Sequence, residues 1–469
     1  MQKKAHKYKQ TPPIIIQNTL SDTSSSVLRQ PAIIIFFLLL IVPVRWAFQY
    51  DVLPIQDLPN HLANVKILLN YHSSDFFQKN FILDLFPYPY LLQDILLSIL
   101  VLMGGADFAG NCLAALAMVS IPLGLFYLIK TINPSKTYLS YFSLPFAWNM
   151  LLLKGNLNYL MGIALLLISL ALLWGKLIVV NNRSPKRWWP IIVCIVLLYL
   201  AHLAAFVLFL VLVAILIFYK YISQRQLTRF AYWLHVAGFV FAFSVAYVVL
   251  ITLLGAQSQT DYTSITGKAI KVFLLAYVLD WWDCYFLVPV LVLLGALVLI
   301  SMLRIKEEPL PFILCGTLAL IYMLAPIQIG SLVRPEERVL YLLVFILPIC
   351  CINNRHVRLE KGLVICLCVV SFFLASQFFA RFADTIYPSL SSARTLLRRV
   401  SPGKKLIPLL AAQSQVGRLR PLSFIDAYYV IDGNGYVPTL FSTQYMTVKY
   451  REKPVFSWDQ QNDSMFKQY

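Results

Sequence analysis

Asp51, Asp57 and His61 fall within "DVLPIQDLPNHLANVKILL", directly after the apolar run "PAIIIFFLLLIVPVRWAFQY". A carboxylate with an imidazole one helical turn away can accept a proton from a hydroxyl group while the imidazole orients or shares it. The plainer account is that Asp57 caps a helix starting near Leu58 or Pro59, because Asp is a favoured N-cap and proline is tolerated in a first turn. The two accounts are compatible. At roughly 100° per residue, Leu58, Leu62, Val65 and Leu69 make an apolar stripe with Asp57, His61 and Asn64 beside it. Such a helix is expected to lie on a membrane with its polar row facing a cavity or water.

Cations that could serve an anionic substrate lie far along the chain. Arg334 and Arg338, in "GSLVRPEERV", have the planar fork that grips phosphate in two places, and Glu336 and Glu337 lie between them. The competing account is an ion-pair cluster that anchors helix ends. Lys154, Lys268 and Lys271 are secondary candidates, since a lysine at the end of a span also snorkels to headgroups. His202 interrupts "LLYLAHLAAFVL" and should mark a tight turn, contacting either phosphate or acceptor, or only its neighbours. Asn156 and Asn158 in "KGNLNY" read the same way, with local turn chemistry as the alternative. Trp281 and Trp282, bracketed by Asp280 and Asp283, suit an interfacial aromatic belt or a stacking surface for sugar rings.

The elements holding these residues follow from composition. Of 469 residues, 59% are hydrophobic and 13% charged, with a mean hydropathy of +0.72, too little polar material to cover a water-soluble domain of this size. Apolar runs of membrane-crossing length recur without strand-like alternation, which points to an all-α polytopic membrane protein. The net charge of +18 comes from basic clusters between the apolar runs, the positive-inside pattern, and nucleic acid is not the expected partner. The eight cysteines lie mostly inside apolar runs without metal-ligand spacing and read as small buried hydrophobes.

Setting the basic clusters inside gives about eleven transmembrane helices with a cytoplasmic N-terminus. The expected spans are 31–49, 107–130, 137–153, 158–179, 188–201, 203–220, 231–254, 282–303, 310–329, 338–353 and 362–381. The segment "YPYLLQDILLSILVLMGG" would upset the charge rule if it crossed, so it is expected to lie at the outer interface. The chain then divides into a cytoplasmic tail (1–30), a transmembrane domain (31–381) with a long external loop (50–106), and a small external module (382–469).

A single first span, a long outer loop with an acidic residue just beyond it and interfacial helices in that loop resemble the GT-C superfamily of integral membrane glycosyltransferases. "QDLPNHLA", "GNLNYLMGIALLL", "LLYLAHLAAFVL" and "RPEERVLYLLVF" are similar to segments of its uncharacterised bacterial members. The resemblance implies transfer of a sugar from a polyprenyl-phosphate donor to a glycan, lipid or protein acceptor. The reaction would take place on the external, periplasmic side of a bacterial inner (plasma) membrane, in cell-envelope polysaccharide assembly. It implies Asp57 as catalytic base, with Asp51 as fallback; His61 is its neighbour, and the residues expected around a donor phosphate are Arg334, Arg338, Lys154 and His202. Asn158 and Glu337 are carried as further site residues. The chain has "QD" where several relatives have paired acidic residues, which leaves dependence on Mg or Mn open. From other classes, a transporter or flippase of a lipid-linked or anionic substrate would place ionisable residues at mid-bilayer depth. A non-catalytic envelope-assembly subunit would need no cavity joining Asp57 to Arg334.

Overall fold

The computed structural model describes residues 31–179, 188–223, 264–326, 328–329, 332–354, 357–408, 415–441, 446–452 and 454. The 1–30 tail and the expected span 231–254 lie outside the described residues.

The chain opens with α1 (Pro31–Leu39) and α2 (Ile41–Ala47), followed by α3 (Leu58–Asn70), α4 (Asp75–Asn80) and β1 (Phe81–Leu83). Then come α5 (Leu91–Ile132), a 3-10 helix (Pro134–Ala147), α6 (Met150–Lys154), α7 (Leu157–Trp174), α8 (Trp189–Ala201) and α9 (Leu203–Ser223). After them stand α10 (Ile265–Phe273), α11 (Trp281–Met302), α12 (Leu310–Leu324), the short strands β2 (Gln328–Ile329) and β3 (Leu332–Val333), α13 (Pro335–Ile346) and α14 (Val357–Arg398). The chain closes with α15 (Ala427–Gly433) and β4 (Val448–Tyr450). Among the described residues, five helices are long and apolar enough to cross a membrane: Leu91–Ile132, Leu157–Ile178, Leu203–Tyr221, Trp281–Met302 and Arg358–Arg398. Three shorter apolar helices accompany them, Pro31–Ala47, Trp189–Ala201 and Leu310–Leu324. The fold is that of an all-α, multi-pass membrane protein.

Three segments differ from the sequence expectation in ways that shape the site. Gly105 sits at φ 84, ψ 178, which breaks α5 into an amphipathic first half and an apolar second half. The first half turns Ile95, Ile99, Leu102 and Met103 outward while Gln93, Asp94 and Leu97 are buried. The expected span 137–153 is a 14-residue 3-10 helix instead, followed by α6. Every residue from Lys136 to Ala147 is buried, so packing on all sides replaces the weaker hydrogen bonding of this helix type. Helix α14 does not end near 381; its 42 residues run to Arg398, roughly 63 Å at about 1.5 Å each, and protrude well beyond a bilayer.

The protruding end is tied into the first loop and the C-terminal region. Arg394 of α14 pairs with Asp107 (2.7 Å) and Asp432 (2.7 Å), and its guanidinium lies over the Tyr428 ring. Strand β1 pairs antiparallel with β4, Phe81 facing Tyr450 and Leu83 facing Val448. Residues of the first loop and of the chain's last described segment therefore make one unit. At the other end of α11, Ser301 donates to Asn354, and Lys136, Tyr138 and Glu360 form a buried network around Asn354. The 22 residues of α11 separate that network from the loop side by about 33 Å.

Candidate active site on the loop side

Helix α3 begins at Leu58 as the pattern requires, with Pro59 in its first turn and Leu58, Leu62 and Val65 buried. The expected capping role of Asp57 is not realised. Its backbone is already near-helical (φ −91, ψ −8), whereas a capping side chain needs the extended conformation, and its carboxyl makes no cap hydrogen bond. What fixes Asp57 is its backbone. Gln56 N–H donates to the Leu153 carbonyl (2.8 Å) and Asp57 N–H to the Lys154 carbonyl (3.2 Å), so residues 56–57 run beside the end of α6. This close approach is possible because residue 155 is glycine, held at φ +92 against the Asp57 backbone.

The expected Asp57–His61 partnership does not form through side chains; only the helical backbone bond from His61 N–H to the Asp57 carbonyl joins them. The His61 ring stands edge-on to Phe441 at 5.7 Å, and burial lowers its pKa to about 4, leaving a neutral imidazole. The polar row of α3 does not face water either. Asn60 accepts from the Phe441 N–H and Asn64 donates to the Phe441 carbonyl, so the C-terminal region covers this face. Asp51 is exposed and has no ion pair among the described residues.

Asp57 is partly buried and meets a cluster of charge. Desolvation raises its pKa to about 7, against the pull of the Lys154 ammonium. Desolvation also lowers Lys154 to about 8, in spite of Glu337, with Arg334 and Arg418 adding repulsion. Glu337 is the hub of the cluster. Its Oε1 accepts from Arg334 (2.9 Å) and Arg418 (3.1 Å), and its Oε2 faces Lys154 at 3.8 Å. Glu336 pairs with Lys271 of α10 at 2.5 Å. A small cleft of mixed lining lies here, with Leu274, Leu340 and Tyr341 beside Lys271, Glu337 and Arg418. A carboxyl group near half-protonation at neutral pH can accept a proton from a hydroxyl group and release it again.

Arg338 forms a second centre. Its Nη2 reaches Asn156 Oδ1 at 3.5 Å, its guanidinium lies 5.8 Å from the Tyr159 ring centre, and Tyr159 OH donates to the Arg338 carbonyl (2.6 Å). The buried Nη1 has no partner among the described residues. His202 is packed edge-on between Tyr90 and Tyr159, each ring centre 4.9 Å away, with Nδ1 accepting from Ala204 N–H. Burial, then Arg338, holds its pKa well below the usual value. The ring is therefore neutral at pH 7. Asn158 turns its Oδ1 to the N–H of Tyr159, which is local turn chemistry. Asp283 accepts from the N–H groups of Val278, Leu279 and Asp280 and fixes the loop before α11, while Trp281 and Trp282 remain exposed.

Tyr90 (φ 95) and Arg334 (φ 53) are two of the three left-handed non-glycine residues among those described, and both lie at these centres. Held strain of this kind is a mark of functional sites. No group of three His, Cys, Asp or Glu side chains among the described residues could hold a metal ion, and the charged group nearest in effect to Asp57 is a lysine. Sequence reasoning missed Arg418 and Tyr159; the Gly417-Arg418 turn was the only local signal for the former.

The ionisation of Asp57 is directly measurable. An apolar carbodiimide, which reacts with protonated carboxyl groups, should label Asp57 in membranes with a midpoint near pH 7. A midpoint in the ordinary carboxylate range would mean that the side chain is solvated.

No family model, curated protein or solved structure gives a significant match to the chain.

Proposed function

We propose that this chain is a GT-C-like membrane glycosyltransferase that moves a sugar from a polyprenyl-phosphate donor to an acceptor hydroxyl at the membrane surface. The observation that carries the reading is an uncapped, partly desolvated Asp57 beside the Lys154–Glu337–Arg334–Arg418 cluster, with a second centre at Arg338, which has no carboxylate partner among the described residues. A guanidinium nitrogen buried without an acceptor is costly unless a ligand supplies one.

In this mechanism the donor phosphate lies against Arg338 and Lys154. The acceptor oxygen attacks the anomeric carbon as the Asp57 carboxylate takes its proton. The bond from anomeric carbon to phosphate oxygen breaks, and the leaving phosphate keeps the electron pair, its added charge stabilised by the cations. Arg334 is assigned to holding Glu337, since its guanidinium already lies on that carboxylate. Asp57 must be ionised and Lys154 protonated, so the rate should rise through about pH 7 and fall through about pH 8.

The test is consumption of a labelled polyprenyl-phosphate sugar by membranes containing the chain. Arg338→Gln should raise the donor KM by roughly 10–100-fold, the loss of one charge-assisted contact of about 1.5–3 kcal/mol. An unchanged donor KM would remove Arg338 from the phosphate site. No consumption of any such donor by the wild type would sink the enzyme reading.

A further inference from the structure

Glu337 could disable the site. A carboxylate 3.8 Å from Lys154 competes with Asp57 for that ammonium, and only the occupants of Glu337 Oε1 limit the competition. One occupant, Arg334, comes from three residues earlier in the same segment. The other comes from far along the chain. We infer that Arg418, carried on a hairpin of the C-terminal region, is a positioning residue of the site: by occupying Glu337 it leaves Lys154 to face Asp57. The inference deepens the proposed reading of Asp57 as the base and rests on it for its catalytic meaning.

The hairpin is built for this placement. Val416 and Leu419 exchange both backbone hydrogen bonds at 3.0 Å, closing a tight turn with Gly417 left-handed at φ +57. Gly417 lies so close to the Leu279 backbone that a methyl group there would run into the Leu279 carbonyl. Arg418 spends Nη1 on the carbonyls of Leu274 (3.1 Å) and Tyr277 (3.4 Å) and points Nη2 at Glu337. The Arg420 N–H donates to Gln56 Oε1 at 3.3 Å, and Gln56 is the residue before Asp57. The hairpin therefore bridges the loop before α11, the start of α13 and the segment carrying the base.

The charged groups near Asp57 set the sign of the effect. Lys154 faces it from the end of α6, Arg334, Glu337 and Arg418 act on Lys154, and Glu336 at the start of α13 is taken up by Lys271 of α10. His61, on the base's own helix, is neutral. Removing the Arg418 charge takes away a cation and frees Glu337 to draw Lys154 from Asp57. Both changes favour protonated Asp57.

Carbodiimide labelling of Asp57 in membranes containing the full chain tests this without any substrate. Arg418→Ala should move the labelling midpoint to higher pH by about one unit, a roughly tenfold change in the ratio of ionised to protonated Asp57. Arg418→Lys should titrate with the wild type, and added ethylguanidinium should bring Arg418→Ala back toward it, which a purely structural role would not allow. An Arg418→Ala midpoint equal to that of the wild type overturns the inference. Should that variant fail to fold, cysteines at positions 56 and 420 of an otherwise unaltered chain supply a second test. A short bis-maleimide should join them, and failure to cross-link removes the hairpin from the site. If Asp57 proves not to be the base, the titration shift still appears while activity does not depend on it, so the two readings fail separately.

Discussion

Asp57→Asn is expected to slow sugar transfer by about 10²–10⁴-fold, the range for removal of a general base. The substitution keeps shape and volume and takes away only the group that accepts the proton. It should leave the fold intact, because the carboxyl makes no cap bond to α3 and the segment is held by the backbone bonds of Gln56 and Asp57 to Leu153 and Lys154. Those bonds survive the change. A desolvated carboxylate also opposes folding, so a neutral amide should not lower the melting temperature of detergent-extracted protein. Asp51→Asn, at an exposed position, should behave as wild type. Near-normal turnover by Asp57→Asn would remove Asp57 from the base role, and loss of both variants would point to the loop as a whole.

Gly155→Ala should destabilise the protein by about 2–5 kcal/mol and abolish activity with it. Two penalties combine. At φ +92 an alanine is strained whatever its surroundings, and its Cβ would stand 2.6 Å from Asp57 Cβ, 2.8 Å from Asp57 N and 3.0 Å from Asp57 Cα. Two of those atoms belong to backbone pinned by hydrogen bonds, so neither side can give way by changing rotamer. The check is thermal unfolding followed by carbodiimide labelling of Asp57. A variant that melts with the wild type and titrates near pH 7 would show that the 56–57 and 153–155 segments are not in the contact described.

The legible part of this architecture was what local pattern determines. Apolar runs set the helices, and proline placed the start of α3. The parts that were not legible depend on contacts distant in sequence. Asp57 is a strong N-cap by type, yet pairing of its backbone with residues 153–154 fixes a conformation in which its side chain cannot cap. His61 has the spacing of a catalytic neighbour but turns to Phe441, a residue far along the chain. The 3-10 helix has the hydropathy of an ordinary span, and only burial on every side makes the tighter winding tenable. Arg334 and Arg338 look alike in "RPEER", but Arg334 turns to Glu337 and Arg338 toward Tyr159. Sequence could offer the pair and not divide their work.

The central claim is that a lipid-phosphate sugar sits between Asp57 and Arg338. Native mass spectrometry of the detergent-extracted protein, incubated with a polyprenyl-phosphate sugar, measures that occupancy directly. The account predicts a one-to-one adduct on the wild type and on Asp57→Asn, and its loss in Arg338→Gln. An adduct held equally by Arg338→Gln, or absent from all three, would contradict it.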